Sequence, residues 1–583
     1  MRIDKISIKN FRSFDNTGVE LTFPDIKKPF SIVGHNNSGK SNLINAILFG
    51  LNNKSTSFTS FDKNDFHNHE TGNDIEIDIS ITPPLLCPTM YNKFRDIEKF
   101  NLVISMTDGV IDTQHYCKDG TDGQIFTPMA LKRGKDAKFT QEQTEILNKQ
   151  LKQGAQTAYK WKDKVPLYFI EPTLIHNHLK ANRNSLLGKV LLEIRKEFES
   201  KETTIDKKEG ILEHHVGQPN VDVFERMLNY IEKQVIPTPK LEALTNQIKD
   251  SIKKELEIDN DDFDLGFGFP SIDSFYKNLE FYIKEADNKP KLPITRYGNG
   301  FIFLFVISLI KAIIESEKGG NIFIIEEPET FLHENYQDYF YKLLEKLAEN
   351  NQVIYTTHSK KFVNLFEPQS IIKLKTPEIT KTEIIHHPTA SIYIPDTLEE
   401  YKVKNIDDFA LYMKTLEPNL GNIIFAKKVM IVEGPHDVLG YRTVFSSEIN
   451  LEYNNISIVA AWGKDTLKSI IQLCKLFEVE YFVVHDFDII EDCDITIPKE
   501  NQASKYNDLE PKEKAQYTKN FNIASEAGID NIHHNKPNLE GVLSITDKGS
   551  TSVYECLSGK TMTEVYNEYP AFLTDEIIKF MKE

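Results

Sequence analysis

FSIVGHNNSGKSNLINAILFG (30–50) begins as an apolar strand, turns through Gly34-His35-Asn36-Asn37-Ser38-Gly39-Lys40-Ser41 and continues into an apolar helix. Those eight residues satisfy GxxxxGK[ST] in full, and a strand before and a helix after are the context that gives the pattern its meaning. Glycines let backbone N–H groups face a phosphate, and the helix N-terminus adds partial positive charge. Lys40 then pairs with β and γ oxygens while Ser41 ligates Mg²⁺. Gly34, Asn36, Asn37, Gly39, Lys40, Ser41 and Asn42 are the candidate ATP-binding residues on this side.

Downstream, Asn321-Ile322-Phe323-Ile324-Ile325-Glu326-Glu327 is a second apolar strand, ending in two acids. Glu326 is placed to help hold Mg²⁺ and Glu327 to polarise the attacking water. Strands often end in acids at solvent, so the pair gains weight from Pro328-Glu329 after it and from Thr357-His358-Ser359 at the end of the next strand. His358 reads as a γ-phosphate sensor.

NFRSF (10–14), the glycine-rich loop, EEPExFLH (326–333) and TTHS (356–359) together resemble the ABC-type ATPases of the SMC, RecF and OLD kind. The resemblance implies ATP sandwiched between two heads, hence a homodimer. One departure concerns the signature loop of the opposite protomer, normally rich in Ser and Gly. Its best candidate here is Tyr297-Gly298-Asn299-Gly300, with Asn299 or Thr295 in place of the serine. Slow hydrolysis follows, with ATP acting more as a conformational ligand than as fuel.

A second α/β unit starts near residue 421. KKVMIVEG and VEYFVVHDFD are apolar strands that both end in carboxylates. Residues i and i+2 of a strand point the same way, so Asp486 and Asp488 can face one ion. In parallel α/β sheets the functional crevice lies at the carboxyl ends of the strands, where Glu433 also falls. Glu433, Asp486 and Asp488 are thus a candidate Mg²⁺ or Mn²⁺ site, since oxygen-only ligands suit hard cations. Asp437 and Glu540 are candidates for a second ion, and Lys560 for stabilising the transition state of phosphodiester cleavage.

Glu followed by Asp-x-Asp resembles the Toprim domain. With the ATPase motifs ahead of it, the segment FAKKVMIVEGPHD (425–437), Leu539-Glu540 and Lys560 make the chain similar to the OLD (overcoming lysogenization defect) family. The resemblance covers about 1–80, 294–360 and 421–490 and covers the middle poorly. It implies a metal-dependent DNA endonuclease, assembled through ATPase heads as a homodimer or higher homo-oligomer. It further implies anti-phage defence, with a helicase in some members and a retron reverse transcriptase and its msDNA in others.

The expected architecture is α/β: an ABC-type ATPase head with a helical dimerisation insertion, then a Toprim domain with a parallel sheet. The expected divisions are 1–174 and 291–420 for the two parts of the ATPase, 175–290 for the insertion and 421–583 for Toprim. In the insertion, Phe224, Met227, Leu228, Ile231 and Val235 share one helix face. No heptad pattern persists there for the many repeats a long arm requires, which weighs against an SMC-type machine with extended coiled-coil arms. Stretches 370–405 and 490–535, rich in Pro, Lys, Asp and Asn, read as surface loops. His533-His534, the loop with Asp62, Asp65, His67 and His69, and the basic stretch 132–138 read as solvated.

Bulk properties bound the rest. Hydrophobic residues make up 40% and charged residues 27% of the 583, as in a folded protein rather than a disordered one. The run Phe301–Ile310 is far short of the ~20 residues that span a bilayer, and no leader pattern opens the chain, so a cytoplasmic location without membrane contact is expected. Five scattered cysteines form no CxxC pair. The net charge is −18, and residues 421–583 alone hold 16 basic and 26 acidic side chains. Bound cations must therefore offset repulsion from a nucleic acid there. Two other functions stay open: a Toprim ribonuclease cutting tRNA or other RNA, and a non-catalytic ATPase sensor or scaffold.

Overall fold

The computed structural model describes residues 1–51, 61–88, 94–118, 165–171, 320–330, 332–395, 405–489, 503–547 and 549–582, with isolated positions between them. The chain divides into two compact units, 1–169 with 319–583, and 170–318. Most of the second unit, including the expected insertion helix and all of the candidate signature loop but Gly298, lies outside the described residues.

In chain order the first unit opens with β1 (Arg2–Lys9), β2 (Val19–Thr22), β3 (Phe30–Gly34) and α1 (Lys40–Gly50). Then come β4 (Ile75–Pro88), β5 (Phe94–Thr107), β6 (Val110–Lys118), β7 (Ile125–Phe126) and β8 (Leu167–Ile170). In the second unit, β9 (Tyr282–Ile283) pairs antiparallel with β10 (Leu292–Pro293). The first unit resumes with β11 (Ile322–Ile325), α2 (Glu334–Ala348), β12 (Gln352–Thr356), β13 (Ile371–Lys375) and β14 (Glu383–Ile385). The last part holds α3 (Ile406–Leu416), β15 (Lys428–Val432), α4 (Pro435–Phe445), β16 (Ile456–Ala460), α5 (Lys464–Leu476), β17 (Glu480–Asp486), α6 (Pro511–Ala527) and β18 (Ile532–Asn535).

Three larger sheets result. An outer sheet runs β2-β1-β4-β5-β6-β7, and Ile3, Ile6 and Ile8 of β1 with Ile75, Ile77 and Ile79 of β4 alternate into one core. A second sheet, β14-β13-β3-β12-β11-β8, carries the glycine-rich loop. There β13, β3, β12 and β11 are parallel, and β3, β11 and β12 are buried along their whole length. A strand covered on both faces has no polar face to show, which is why these segments read as uninterrupted apolar runs.

The third sheet, β16-β15-β17-β18, is parallel throughout. All its strand tips therefore point one way, and that arrangement places the acids. The second and third sheets share an interior: Val33, Phe366 and Ile371 pack in one cluster with Phe409 and Ile423 and with Val429, Ile470, Phe477 and Val483. Within this seam Lys373 of β13 is buried and donates to the Phe477 carbonyl at 2.9 Å. Burial pushes its pKa down to about 8. A hydrogen bond to a charged group contributes about 1.5–3 kcal/mol.

Two stretches expected as loops are structured. Residues 371–375 form β13, in register between β3 and β14, because Ile371, Ile372 and Leu374 are fully buried despite the alternating lysines. Within 490–535 lie α6 and β18. α6 buries Tyr517, Asn520, Ile523, Ala524 and Ala527, a narrow stripe in which only two large apolar side chains stand out against its charged residues. Among the described residues no helix is long and apolar enough to cross a membrane.

Candidate functional site

The glycine-rich loop is positioned from both flanks. Gly39 caps α1 in a left-handed conformation (φ +95°), and a Cβ there would lie 2.6 Å from both Ser13 Oγ and Thr382 Oγ1. Only glycine fits that close approach. Thr382 in turn donates to the Ser38 carbonyl at 2.9 Å, so the residue just ahead of β14 and the NFRSF turn grip the loop. Arg12 pairs with Asp65 at 3.0 Å and reaches Asn42 Oδ1 at 3.4 Å, while Asn42 donates to Ser13 Oγ.

The loop 62–69 is therefore not merely solvated. His67 is buried and hydrogen-bonded to the Arg12 carbonyl at 2.8 Å, whereas His69 is exposed. Its ordering comes from Asp62, whose side chain caps Asn64 and Asp65.

At the loop itself His35, Asn36, Asn37 and Ser41 are exposed and Lys40 is buried. Lys40 Nζ donates to the Gly34 and His35 carbonyls, each at 2.9 Å. Burial holds its pKa down to about 8, opposed by the charges of Glu327 and Glu329. The strand β11 delivers Glu326 and Glu327 to the same end of the sheet. Glu327 sits at φ +38°, and its N–H donates to both the carbonyl and Oγ1 of Thr356, each at 3.1 Å. His358 Nε2 lies 3.8 Å from Glu327 Oε1. Burial, and then the nearby Lys40 charge, lower the His358 pKa, so the ring is neutral at pH 7. Glu329 accepts the His358 N–H at 2.5 Å. Sequence reading quoted Glu329 as part of a motif but gave it no role, and it is this carboxylate that orients the histidine segment.

At the tips of the third sheet, Glu433 follows β15 and Asp486 ends its neighbour β17. The two meet directly: the Asp486 N–H donates to Glu433 Oε2 at 3.1 Å. Asp488 joins them, though not by strand alternation. β17 has ended, and a left-handed residue conformation (φ +54°) turns Asp488 back, held by its N–H to the Pro537 carbonyl at 2.8 Å. Asp437, in the first turn of α4, is buried; its Oδ2 accepts the Gly434 N–H at 3.0 Å while Oδ1 is buried without a partner. Asp486 Oδ1 accepts the N–H of Leu539, which places Glu540 next to the group. Lys560 is not brought to these acids by any hydrogen bond or ion pair; its Nζ holds Glu568 at 2.7 Å and Tyr569 Oη at 3.2 Å.

The electrostatics follow from packing several carboxyls together under a low dielectric. Burial raises Glu433 to about 7, with Asp486 and Asp488 adding repulsion against the opposing pull of Lys464. Burial and the Asp488 charge raise Asp486 to about 6. Asp437 is raised well above the usual carboxylate range by burial, then by Asp486. Clustered carboxylates that cannot all ionise are relieved by whatever neutralises them, a shared proton or a bound cation.

Among the described residues no three His, Cys, Asp or Glu side chains form a ready coordination shell. Each carboxylate is instead turned to a partner of its own: Glu433 to a backbone N–H, Asp486 to Leu539, Asp488 to Lys464 at 2.7 Å. The donor set nevertheless fits a hard divalent ion, all oxygen, with the orphaned Asp437 Oδ1 beside it.

Lys464 carried no signal that sequence reading could weigh, being one lysine in AAWGKD (460–465) without a motif around it. His533 and His534, expected at the surface, lie on β18, the edge strand of the third sheet, and are half-buried. His534 meets the buried His485 edge to face, with ring centroids 4.5 Å apart. The basic stretch 132–138 lies outside the described residues.

The raised carboxyl pKa values have a thermodynamic sign. Without metal the folded state holds protons on Glu433 and Asp486 that the unfolded chain releases near pH 4–5, so their contribution to stability falls as pH rises through about 7. A divalent cation replaces those protons. Mn²⁺ is therefore expected to raise the Tm more at pH 8 than at pH 6, measured by thermal denaturation against an EDTA control. Equal shifts at the two pH values would contradict a cation bound by these acids.

The two sites, one on a glycine-rich loop and one at a parallel sheet's acidic tips, define a nucleotide-binding domain joined to a Toprim-type domain. The chain belongs to the AAA ATPase domain family, whose model matches residues 1–363. Residues 424–488 match the overcoming lysogenization defect protein-like TOPRIM domain. Together these domains imply nucleotide binding and divalent metal use.

The chain is homologous to the OLD nuclease of Thermus scotoductus, 25% identical over 95% of this chain and 93% of that protein. It is likewise homologous to the endonuclease GajA of Bacillus cereus, 22% identical over 78% of this chain and 69% of that one. The Old nuclease of Escherichia phage P2 is 22% identical over 87% of this chain and 81% of its own length.

Proposed function

We propose that the chain is an ATP-binding, divalent-metal-dependent DNA endonuclease of anti-phage defence, in which the ATPase head governs a Toprim cleavage site. The observation that carries this reading is the meeting of Glu433 with Asp486 and Asp488 at neighbouring parallel strand tips, in a sheet packed against the one that bears the glycine-rich loop. Homology to three nucleases supports it.

In this reading residues 1–174 and 291–420 are the ATPase, 175–290 a helical dimerisation insertion and 421–583 the nuclease. ATP is held by Gly34, Asn36, Asn37, Gly39, Lys40, Ser41 and Asn42, with Glu326 and Ser41 on its Mg²⁺, Glu327 polarising water and His358 sensing the γ-phosphate. Glu433, Asp486 and Asp488 hold one Mg²⁺ or Mn²⁺, with Asp437 and Glu540 available to a second. Bound there, the cation would activate water and neutralise charge on the scissile phosphate. The chain's own part is to keep the carboxylates fixed by the Leu539 and Asp486 N–H groups. Lys560 as the residue stabilising the transition state requires that it leave Glu568 when substrate binds. A cytoplasmic homodimer or higher homo-oligomer, with a helicase or a retron reverse transcriptase and its msDNA as partner, completes the proposal.

Purified protein incubated with Mg²⁺ or Mn²⁺, with and without ATP, on supercoiled DNA, linear DNA and tRNA tests it. Metal-dependent nicking or linearisation of DNA is the expected result. Cleavage of tRNA alone would make the chain a ribonuclease, and no cleavage of any of them would leave an ATPase scaffold.

A further inference from the structure

Lys464 occupies a place that a structural lysine has little reason to occupy. It is the first residue of α5, where the helix dipole disfavours a cation, and its side chain is only 4% exposed. Burying an ammonium group is costly unless it is paired. Its Nζ lies 2.7 Å from Asp488 Oδ2 and 3.5 Å from Gln516 Oε1 of α6, and its charge also acts on Glu433. The adjacent Asp465 is taken up by Lys519 at 2.9 Å, which leaves Lys464 to the acid group. Asp488 itself is held in a left-handed conformation that a non-glycine residue adopts at a cost, so its carboxylate is fixed from both the backbone and the side chain.

We propose that Lys464 is a positioning residue of the nuclease site, an internal cation that presets Asp488 and offsets one of the clustered negative charges before any divalent ion arrives. The inference rests on the nuclease reading above and adds to it a residue outside the acidic set. The far end of the same helix is pinned to the ATPase sheet, through Phe477, which accepts from Lys373, and through Glu478, paired with Lys375 at 3.1 Å. Midway, Ser469 donates to the Tyr393 carbonyl at 2.5 Å and Gln472 accepts the Tyr393 N–H at 3.0 Å. Lys464 is thus held at one end of a strut whose other end belongs to the nucleotide-binding half.

The roles are separated by measuring Mn²⁺ binding by calorimetry alongside DNA cleavage on the full chain. Lys464→Gln removes a positive charge that competes with the ion for Asp488, so Mn²⁺ affinity is expected to rise about tenfold. Turnover is expected to fall by about 10- to 100-fold, as when a group that orients a metal ligand is lost. Lys464→Arg keeps the charge and should restore most of both. In an Asp488→Asn background Lys464→Gln should alter Mn²⁺ affinity far less, because most of the effect runs through that pair and only the weaker action on Glu433 is left.

Weakened metal binding together with weakened cleavage and a lowered Tm would mean a merely structural lysine and overturn the proposal, as would no change in either quantity. If wild-type protein binds Mn²⁺ and cuts DNA while Lys464→Gln matches it, this inference alone falls. If wild type does neither, the nuclease reading falls with it.

Discussion

Asp486→Ala is expected to lower DNA cleavage by at least about 10³-fold, the several kcal/mol that a catalytic cation contributes to a transition state. Asp486 is the hub of the acid group, touching Glu433 through its N–H and Leu539 through its carboxylate. The fold should tolerate the change. Leu539 loses an acceptor, a cost of about 1–3 kcal/mol if its N–H stays buried, but a carboxylate whose charge is already disfavoured by burial and by Asp488 is removed at the same time. The two effects oppose each other, so the Tm should move little and ATP binding at the distant loop should not move at all. Cleavage assays with nucleotide-binding and Tm controls decide it, and residual cleavage near wild type would remove Asp486 from the site.

Glu327→Gln is expected to cut ATP hydrolysis by roughly 10²- to 10⁴-fold, the usual worth of a positioned general base, while leaving ATP binding intact. The backbone around Glu327 is over-determined by two hydrogen bonds to Thr356, and glutamine preserves the size of the side chain beside His358 Nε2. Only the ability to polarise water is lost. Phosphate release and nucleotide binding measured side by side would show it. If ATP governs cleavage, the variant's cleavage should also stay at its ATP-bound level throughout the time course, whereas in wild type it drifts as ATP is consumed. Unchanged hydrolysis would move the catalytic role to another residue.

What could be read beforehand was what short motifs and buried strands announce. The glycine-rich loop, Glu326-Glu327 and Glu433 lie where the sequence placed them because an apolar run ending in polar residues is itself the record of a buried parallel strand. Asp488 stands with these acids by a different route from the one its spacing suggests. Strand periodicity ends at Asp486, and a left-handed turn brings Asp488 there.

β13 escaped notice because two of its five residues are lysines, and that Lys373 is buried against a helix-end carbonyl cannot be inferred without the neighbour. α6 and β18 are hidden for a related reason: α6 buries Tyr517 and Ile523 only among Asn and Ala, and β18 is Ile-His-His-Asn with Asn535 alone fully buried. Lys464 shows the general limit. A lone charged side chain acquires meaning only from what the fold sets around it.

The apolar seam between the nucleotide-binding sheet and the acid-bearing sheet carries a further consequence. Among the described residues, Phe366, Ile371 and Val33 share one interior with Val429, Ile470 and Phe477. A fragment ended near residue 420 would present those side chains to water, and so would one begun there. The two chemistries are thus not beads on a string that recombination could shuffle at will. A mutation that loosens either partner's grip on the seam is expected to be felt by both.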